Sequence, residues 1–81
     1  MAKVIFPSSL QKYTNGISEV AVAATNYQDM VIELDQRFPS ITVDIIEKHA
    51  IAIDGIIIQT PMLEKFDCDS EILLIARIFG G

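Results

Sequence analysis

Two adjacent glycines, Gly80 and Gly81, are the residues of this chain whose type and position point most directly to chemistry. With glycine at about 7% of positions, a chain finishes in Gly-Gly by chance only about once in two hundred. Glycine has no Cβ atom, so such a segment can approach another protein's catalytic centre closely. Because an apolar run at residues 72–76 comes before it, we expect a rigid body with a flexible tail, residues 78–81, that threads into a partner's active site.

The other reactive side chains form no catalytic or metal-binding pattern. Cys68 lies between Asp67 and Asp69, which supply neither the base nor the positive charge that activates a cysteine. His49 has no second ligand at metal-binding spacing, and we expect it to be exposed at the start of a strand. Asp67, Asp69 and Glu71 lack the rest of a calcium loop, which predicts a solvated acidic turn and no metal. No glycine-rich phosphate loop is present, so we expect no bound cofactor and any ATP to bind to a partner.

Composition predicts one small globular domain, residues 1–81. The chain has 81 residues, of which 51% are hydrophobic, which is enough for one core and too apolar for a disordered segment. Its net charge of −5 argues against nucleic acid as a partner, since nucleic acid requires clustered Lys and Arg. The single cysteine and the lack of a signal-like or membrane-spanning apolar run favour a cytoplasmic protein without a membrane partner.

Hydrophobic periodicity predicts an α+β domain with the element order ββαβ(β)β. Apolar residues recur at helical spacing over residues 27–38, where Thr25 or Asn26 can cap the helix and Pro39 ends it. The predicted strands cover residues 3–6, 18–22, 50–53, 56–58 and 71–78. Turn residues at 14–16 predict a hairpin between the first two strands, and Asp54-Gly55 predicts another.

The remaining segment and the strand positions complete this prediction. In the weakly patterned residues 40–48, Val43, Ile45 and Ile46 predict a short helical turn that plugs the core. The main helix is expected to cross one face of a mixed sheet. The last strand is placed in the middle of the sheet, because a long apolar strand at an edge promotes aggregation.

The last strand also predicts a docking surface. If Ile72 and Leu74 face the helix, Leu73 and Ile75 point outward, because side chains alternate along a strand. Exposed adjacent aliphatic side chains are unfavourable unless a partner covers them, either an enzyme that docks there or a second layer such as a dimer. The predicted partner-binding residues are Leu73, Ile75, Arg77, Ile78 and Phe79.

Several short motifs, taken in order, resemble those of one protein family. Near the start of the chain, the matching residues are Pro7, Leu10, Thr14 and Gly16, and the helix that ends at Pro39 is a further match. Ile53-Asp54-Gly55 stands where the family has Val-Asn-Gly. Ser70-Glu71-Ile72 with Gly80-Gly81 stands where the family has "DEV…GG". The chain thereby resembles the MoaD/ThiS sulfur carriers, which have the ubiquitin-like β-grasp fold, and its length is nearest the MoaD-sized branch. Three departures are Cys68-Asp69-Ser70 for Asp-Gly-Asp, Ala76-Arg77 for Pro-Pro, and Phe79 for a small residue. We expect Asp69 to take the left-handed conformation of the family's glycine.

The resemblance implies a carrier rather than an enzyme. A free α-carboxyl group has a pKa of about 3.5, so at neutral pH it is an anion and a poor electrophile. In the family, a ubiquitin-activating-type adenylyltransferase uses ATP to adenylate the terminal carboxylate, here that of Gly81, with Gly80 as the slim approach segment. A sulfide or persulfide source then displaces AMP and leaves a thiocarboxylate. A second, sulfur-accepting biosynthetic enzyme then receives the sulfur. The length of the chain favours molybdopterin synthesis as the pathway, and cysteine or thiamine synthesis are the alternatives.

Two other functions remain open from the sequence. The chain could be a ubiquitin-like modifier that is joined through Gly81 to lysine side chains, since the activation chemistry is shared. It could also be a non-covalent β-grasp interaction module in which Gly80 and Gly81 are idle.

Overall fold

The computed structural model describes residues 1–76, which form a five-stranded sheet with one main helix. The strands are β1 (Ala2–Ile5), β2 (Glu19–Val22), β3 (His49–Ile53), β4 (Ile56–Ile58) and β5 (Glu71–Ala76). The α-helices are α1 (Tyr27–Arg37) and α2 (Val43–Glu47), and a 3-10 helix covers Ser8–Tyr13. The predicted tail and the site residues Arg77, Ile78, Phe79, Gly80 and Gly81 lie outside the described residues.

The sheet has the strand order β2-β1-β5-β3-β4, so β5 lies at its centre, as its apolar sequence predicted. β1 and β5 are parallel, with Val4 opposite Ile72, and the other neighbouring strands are antiparallel. The prediction of an α+β fold with a mixed sheet and one main helix is confirmed.

The hydrophobic core fills the space between α1 and one face of the sheet. From α1, Tyr27, Met30, Val31 and Leu34 are buried at the spacing that the sequence predicted. The sheet contributes one side chain in two along each inner strand. These sheet residues include Val4, Val22, Ile51, Ile72 and Leu74, all with no exposed surface. The fold therefore has one covered face of the sheet and one face without a helix.

Polar contacts of α1 fix the helix against the strand β2. The Asn26 side chain caps α1 by accepting a hydrogen bond from the Asp29 amide, with an N–O distance of 2.9 Å. The Glu33 carboxylate accepts hydrogen bonds from the amides of Ala23 and Ala24, which follow β2, at 3.0 to 3.1 Å. Arg37 lies 3.4 Å from Glu33 and donates a 2.8 Å hydrogen bond to the carbonyl of Ala21. The helix is thus tied to an edge strand of the sheet.

The connection between β1 and β2 differs from the predicted hairpin. The two strands do pair antiparallel, but the 3-10 helix Ser8–Tyr13 lies between them and buries Leu10. The turn after it is the predicted one, with φ values of 55° at Asn15 and 82° at Gly16. Buried Thr14 donates a 2.8 Å hydrogen bond to the Ile17 carbonyl, which anchors this turn. The chain therefore passes through a 3-10 helix and a turn between β1 and β2, whereas a hairpin would join them directly.

The short helix α2 confirms the helical turn that was predicted in residues 40–48. Fewer of its apolar side chains are buried in the core than predicted. Thr42 caps it by accepting a hydrogen bond from the Ile45 amide at 3.4 Å. Ile46 is fully buried and Ile45 packs partly against the core, whereas Val43 is 37% exposed. Val43 lies one turn before Ile46 on the same side of α2, but as the first residue of the helix it is only partly covered, beside Val31 and Met62.

The turn before β5 is held by side chains instead of by a left-handed residue. The expectation for Asp69 was wrong, since the described non-glycine residues with positive φ are Asn15 and Asp54. Asp67 Oδ1 accepts a 3.0 Å hydrogen bond from the Asp69 amide, and Ser70 Oγ donates to the same oxygen at 3.1 Å. A carboxylate that accepts hydrogen bonds from within its own turn makes the glycine-like conformation unnecessary.

Candidate functional site

The central strand β5 presents two different faces. Ile72 and Leu74 point into the core and have no exposed surface. Leu73 and Ile75 alternate with them and lie half-buried on the face of the sheet that no helix covers. The structure therefore places these two predicted residues together on the outer face, near the end of the described chain.

The strand register extends this outer face into an apolar row across four strands. Ile5 of β1 lies opposite Leu73, which lies opposite Ala52 of β3, which in turn lies opposite Ile57 of β4. Ile5 is half-buried, and Ile57 is 56% exposed. We call Ile5, Ala52, Ile57, Leu73 and Ile75 the outer patch.

Sequence reasoning missed Ile5 and Ile57 as members of this surface. The signal for Ile5 was present, because Val4 and Phe6 both face the core and the residue between them must point outward. The signal for Ile57 was the Asp54-Gly55 turn, which sets Ile53 opposite Ile56 and so Ala52 opposite Ile57.

Two small residues of β3 lie at the centre of the outer patch. On β3, Ala50 lies opposite Ile75 and Ala52 lies opposite Leu73. Both alanines are buried, with 0% and 8% of their surface exposed, yet neither belongs to the hydrophobic core cluster. The aliphatic surface that the patch offers therefore comes from its isoleucine and leucine side chains, with the alanines beneath it.

Charged residues border the outer patch at the β2 side and at the start of β5. Lys3 Nζ lies 3.8 Å from the Glu19 carboxylate, and Lys3 is opposite Glu71 in the sheet. An exposed pair of this kind contributes at most about 1 kcal/mol to stability, so its main effect is on the charge pattern around the patch. These charges mark the boundary of the outer patch on the β2 side and at the start of β5.

His49 is at the start of β3, as predicted, but it is half-buried instead of exposed. Its Nδ1 atom lies 2.8 Å from the carbonyl oxygen of Ile45. Because a carbonyl can only accept, Nδ1 carries the hydrogen, and the ring is packed against the end of α2. Cys68 is exposed in its turn, as expected.

Residues 1–76 contain no group of three His, Cys, Asp or Glu side chains that could hold a metal ion. Within that same part of the chain, no helix has the length and apolar character needed to cross a bilayer.

Comparisons with known proteins give a structural match and no sequence match. No protein-family model matches the sequence, and no curated protein sequence matches it. Among solved structures, the chain is similar to CysO in the crystal structure of the Amycolatopsis orientalis BexX/CysO complex, with a TM-score of 0.78 and 14% sequence identity. The match covers 100% of this chain and 100% of that chain. It shows that the chain has the ubiquitin-like β-grasp fold, as its motifs predicted.

Proposed function

We propose that this chain is a sulfur carrier protein whose Gly81 carboxylate is adenylated by a partner enzyme and converted to a thiocarboxylate. The observation that supports this most directly is the outer patch on β5, the strand that continues into the diglycine. An apolar surface on β5, followed in the sequence by a diglycine without Cβ atoms, fits a protein that is held by an enzyme while its last residues enter the active site.

The fold likeness supports the same function. The structural neighbour CysO is a sulfur carrier with a ThiS/MoaD-like β-grasp, and it was crystallised with BexX. By analogy, we propose a sulfur-accepting biosynthetic enzyme as one partner of this chain. An adenylyltransferase of the ubiquitin-activating type is proposed as the other partner, because the carboxylate needs activation before sulfur can be attached.

The proposed activation proceeds in two balanced steps. A Gly81 carboxylate oxygen attacks the α-phosphorus of ATP on the partner, which forms an acyl adenylate and releases pyrophosphate. Hydrosulfide then attacks the acyl carbon and AMP leaves with the former carboxylate oxygen, so that the product is a thiocarboxylate with no change of carbon oxidation state. The chain contributes no catalytic side chain to either step and acts as the substrate that is recharged after each transfer.

The outer patch is proposed to bind the two enzymes in turn. One surface cannot hold both partners at once, so the carrier must leave the activating enzyme before it meets the acceptor. Arg77, Ile78 and Phe79 are proposed to extend the contact along the tail, and the size of Phe79 to select which enzyme channel accepts it. Molybdopterin synthesis remains the predicted pathway, with cysteine and thiamine synthesis as alternatives.

Intact-mass spectrometry of the protein isolated from its native cells tests the proposal. We expect a fraction of the chain, ending at Gly81, to be heavier by the mass difference between sulfur and oxygen. Alkylation with iodoacetamide should add one group to that terminus beyond the one added to Cys68. High-mass conjugates joined through Gly81 to lysine would instead identify a protein modifier, and a mature chain that continues past residue 81 would exclude both functions.

A further inference from the structure

Three nitrogen-bearing side chains meet at one surface cleft of this acidic protein. Lys12, Lys48 and His49 line a cleft of about 270 Å³, together with the hydroxyl-bearing residues Ser9 and Tyr13. The chain has 11 acidic residues, yet none of them lines this cleft. The local charge is therefore opposite to the net charge of −5.

The two lysines of this cleft differ from Lys3 and Arg37, which form ion pairs within the protein. Lys3 lies within 3.8 Å of Glu19, and Arg37 lies within 3.4 Å of Glu33. These are the two ion pairs formed within residues 1–76, and neither includes Lys12 or Lys48. Both cleft lysines are exposed, so their ammonium groups are accessible to a group outside the protein.

The topology of the sheet places this cleft beside the base of the tail. Because β1 runs parallel to β5, the 3-10 helix that follows β1 lies at the end of the sheet where β5 leaves. Because β3 is antiparallel to β5, it begins at that same end, with His49 opposite Ala76. The two walls of the cleft thus flank the last described residue of the strand that leads to Gly81.

Aromatic and backbone contacts position two of the groups in the cleft. Lys12 Nζ lies 5.2 Å from the centroid of the Tyr13 ring, a cation–π distance that restricts the lysine side chain. The hydrogen bond from His49 Nδ1 to the Ile45 carbonyl fixes the imidazole ring. The cleft is therefore partly organised before any ligand binds.

We propose that this basic cleft docks a cluster of Asp or Glu side chains on the enzyme that receives the tail. The inference rests on the proposed function, since it needs an enzyme at the end of β5. Complementary charge at the margin of an interface steers the approach and sets the orientation of two proteins. On a carrier with a net charge of −5, this cleft places two lysines side by side at the end of β5, so an acidic loop on the enzyme favours the orientation in which that end faces the enzyme.

Amide chemical shifts of the ¹⁵N-labelled protein, titrated with a hexaglutamate peptide, test the cleft without any knowledge of the partner. We expect salt-sensitive shifts confined to residues 9–13 and 48–49. Lys48→Gln should weaken peptide binding about fivefold, the effect of one exposed charge pair. Lys65→Gln removes the same charge from an exposed lysine outside the cleft and should leave binding unchanged.

Three results would overturn the proposal. The first is that the chemical-shift changes are absent or spread over the whole surface. The second is that Lys48→Gln and Lys65→Gln weaken peptide binding equally. The third is that inorganic phosphate binds the cleft more tightly than the peptide does, which would define a small-anion site. The thiocarboxylate measurement is independent of this titration. Peptide binding without a thiocarboxylate would reject the carrier function alone, and a thiocarboxylate without peptide binding would reject the cleft alone.

Discussion

Leu73 is the residue on which the proposed docking surface depends most. It lies on the central strand between Ile5 and Ala52, so it touches both halves of the outer patch. Its side chain is only half-buried, and the core beneath the sheet is filled by Ile72 and Leu74. Its removal is therefore expected to change binding more than folding.

Leu73→Ala should lower the affinity for the adenylating enzyme about tenfold, because central apolar anchors contribute more than 1 kcal/mol at many interfaces. The free energy of unfolding should fall by less than the about 2–5 kcal/mol typical of a buried leucine. Titration calorimetry with the enzyme and urea denaturation measure the two quantities.

Leu63→Ala is the matched control for this substitution. Leu63 is 86% exposed in the loop beside the start of α1, away from the outer patch. It should change neither affinity nor stability measurably. Equal affinities for the Leu73→Ala variant and the wild-type protein would exclude the outer patch as the docking surface.

Gly55 shows how one backbone conformation fixes the register of two strands. It has a φ of 88°, and an added Cβ atom would meet nothing within 4 Å. Gly55→Ala should therefore destabilise the protein by about 1 kcal/mol through backbone strain alone. Urea denaturation measures this loss, and a loss well above it would indicate that the β3–β4 register had shifted and not merely become strained.

At the scale of secondary-structure elements, the contact between α1 and β2 depends on Glu33. Its carboxylate accepts hydrogen bonds from the two backbone amides of Ala23 and Ala24. Without it, those amides would depend on water, and Arg37 would lose its charge partner. A single acidic side chain thus connects the helix to an edge of the sheet.

Glu33→Ala should lower the free energy of unfolding by about 1–2 kcal/mol, because hydrogen bonds to a charged acceptor are stronger than neutral ones and this site is partly solvated. Glu33→Gln keeps one acceptor oxygen and should lose less. Thermal and urea denaturation of both variants provide the measurement. Equal stability of the alanine variant and the wild type would show that water replaces the carboxylate without cost.

The elements with a clear pattern could be predicted from the sequence. The helix α1 followed from apolar residues at helical spacing, and the central position of β5 followed from its uninterrupted apolar run. The outward orientation of Leu73 and Ile75 followed from alternation along that strand. These features are local, so neighbouring residues in the sequence contain the information that determines them.

Other features depend on contacts between distant residues and could not be predicted in the same way. The 3-10 helix after β1 buries only Leu10, which is too little for a recognisable period. The conformation of Asp69 depends on a hydrogen bond from its amide to the side chain of Asp67. Such side-chain hydrogen bonds compete with the intrinsic backbone preference of a residue, so propensity alone does not predict the outcome. Lys12 and Lys48 line the same cleft because the end of β1 and the start of β3 both lie beside the end of β5.

At the scale of the whole molecule, the described core draws on nearly every part of residues 1–76. Among residues 1–76, the buried core cluster extends from Ala2 to Leu74. On the proposed function, Gly80 and Gly81 serve the partner enzymes, and we expect the stability of the domain to be independent of them.

Deletion of Gly80 and Gly81 should leave the free energy of unfolding unchanged and abolish thiocarboxylate formation. Circular dichroism with urea measures the first quantity, and intact mass after incubation with ATP, sulfide and the adenylating enzyme measures the second. If the shortened chain supports the same cellular function as the full chain, the protein is a non-covalent interaction module and the carrier function is excluded.

The parallel pairing of β1 with β5 has a consequence for synthesis in the cell. The first strand of the chain has no neighbour on one side until the last strand has left the ribosome, because β5 alone joins the β1–β2 pair to the β3–β4 pair. Sheets closed by such distant pairings form late and cooperatively. A nascent or prematurely terminated chain therefore lacks the finished outer patch, and on the proposed function only chains that extend through β5 would compete for activation.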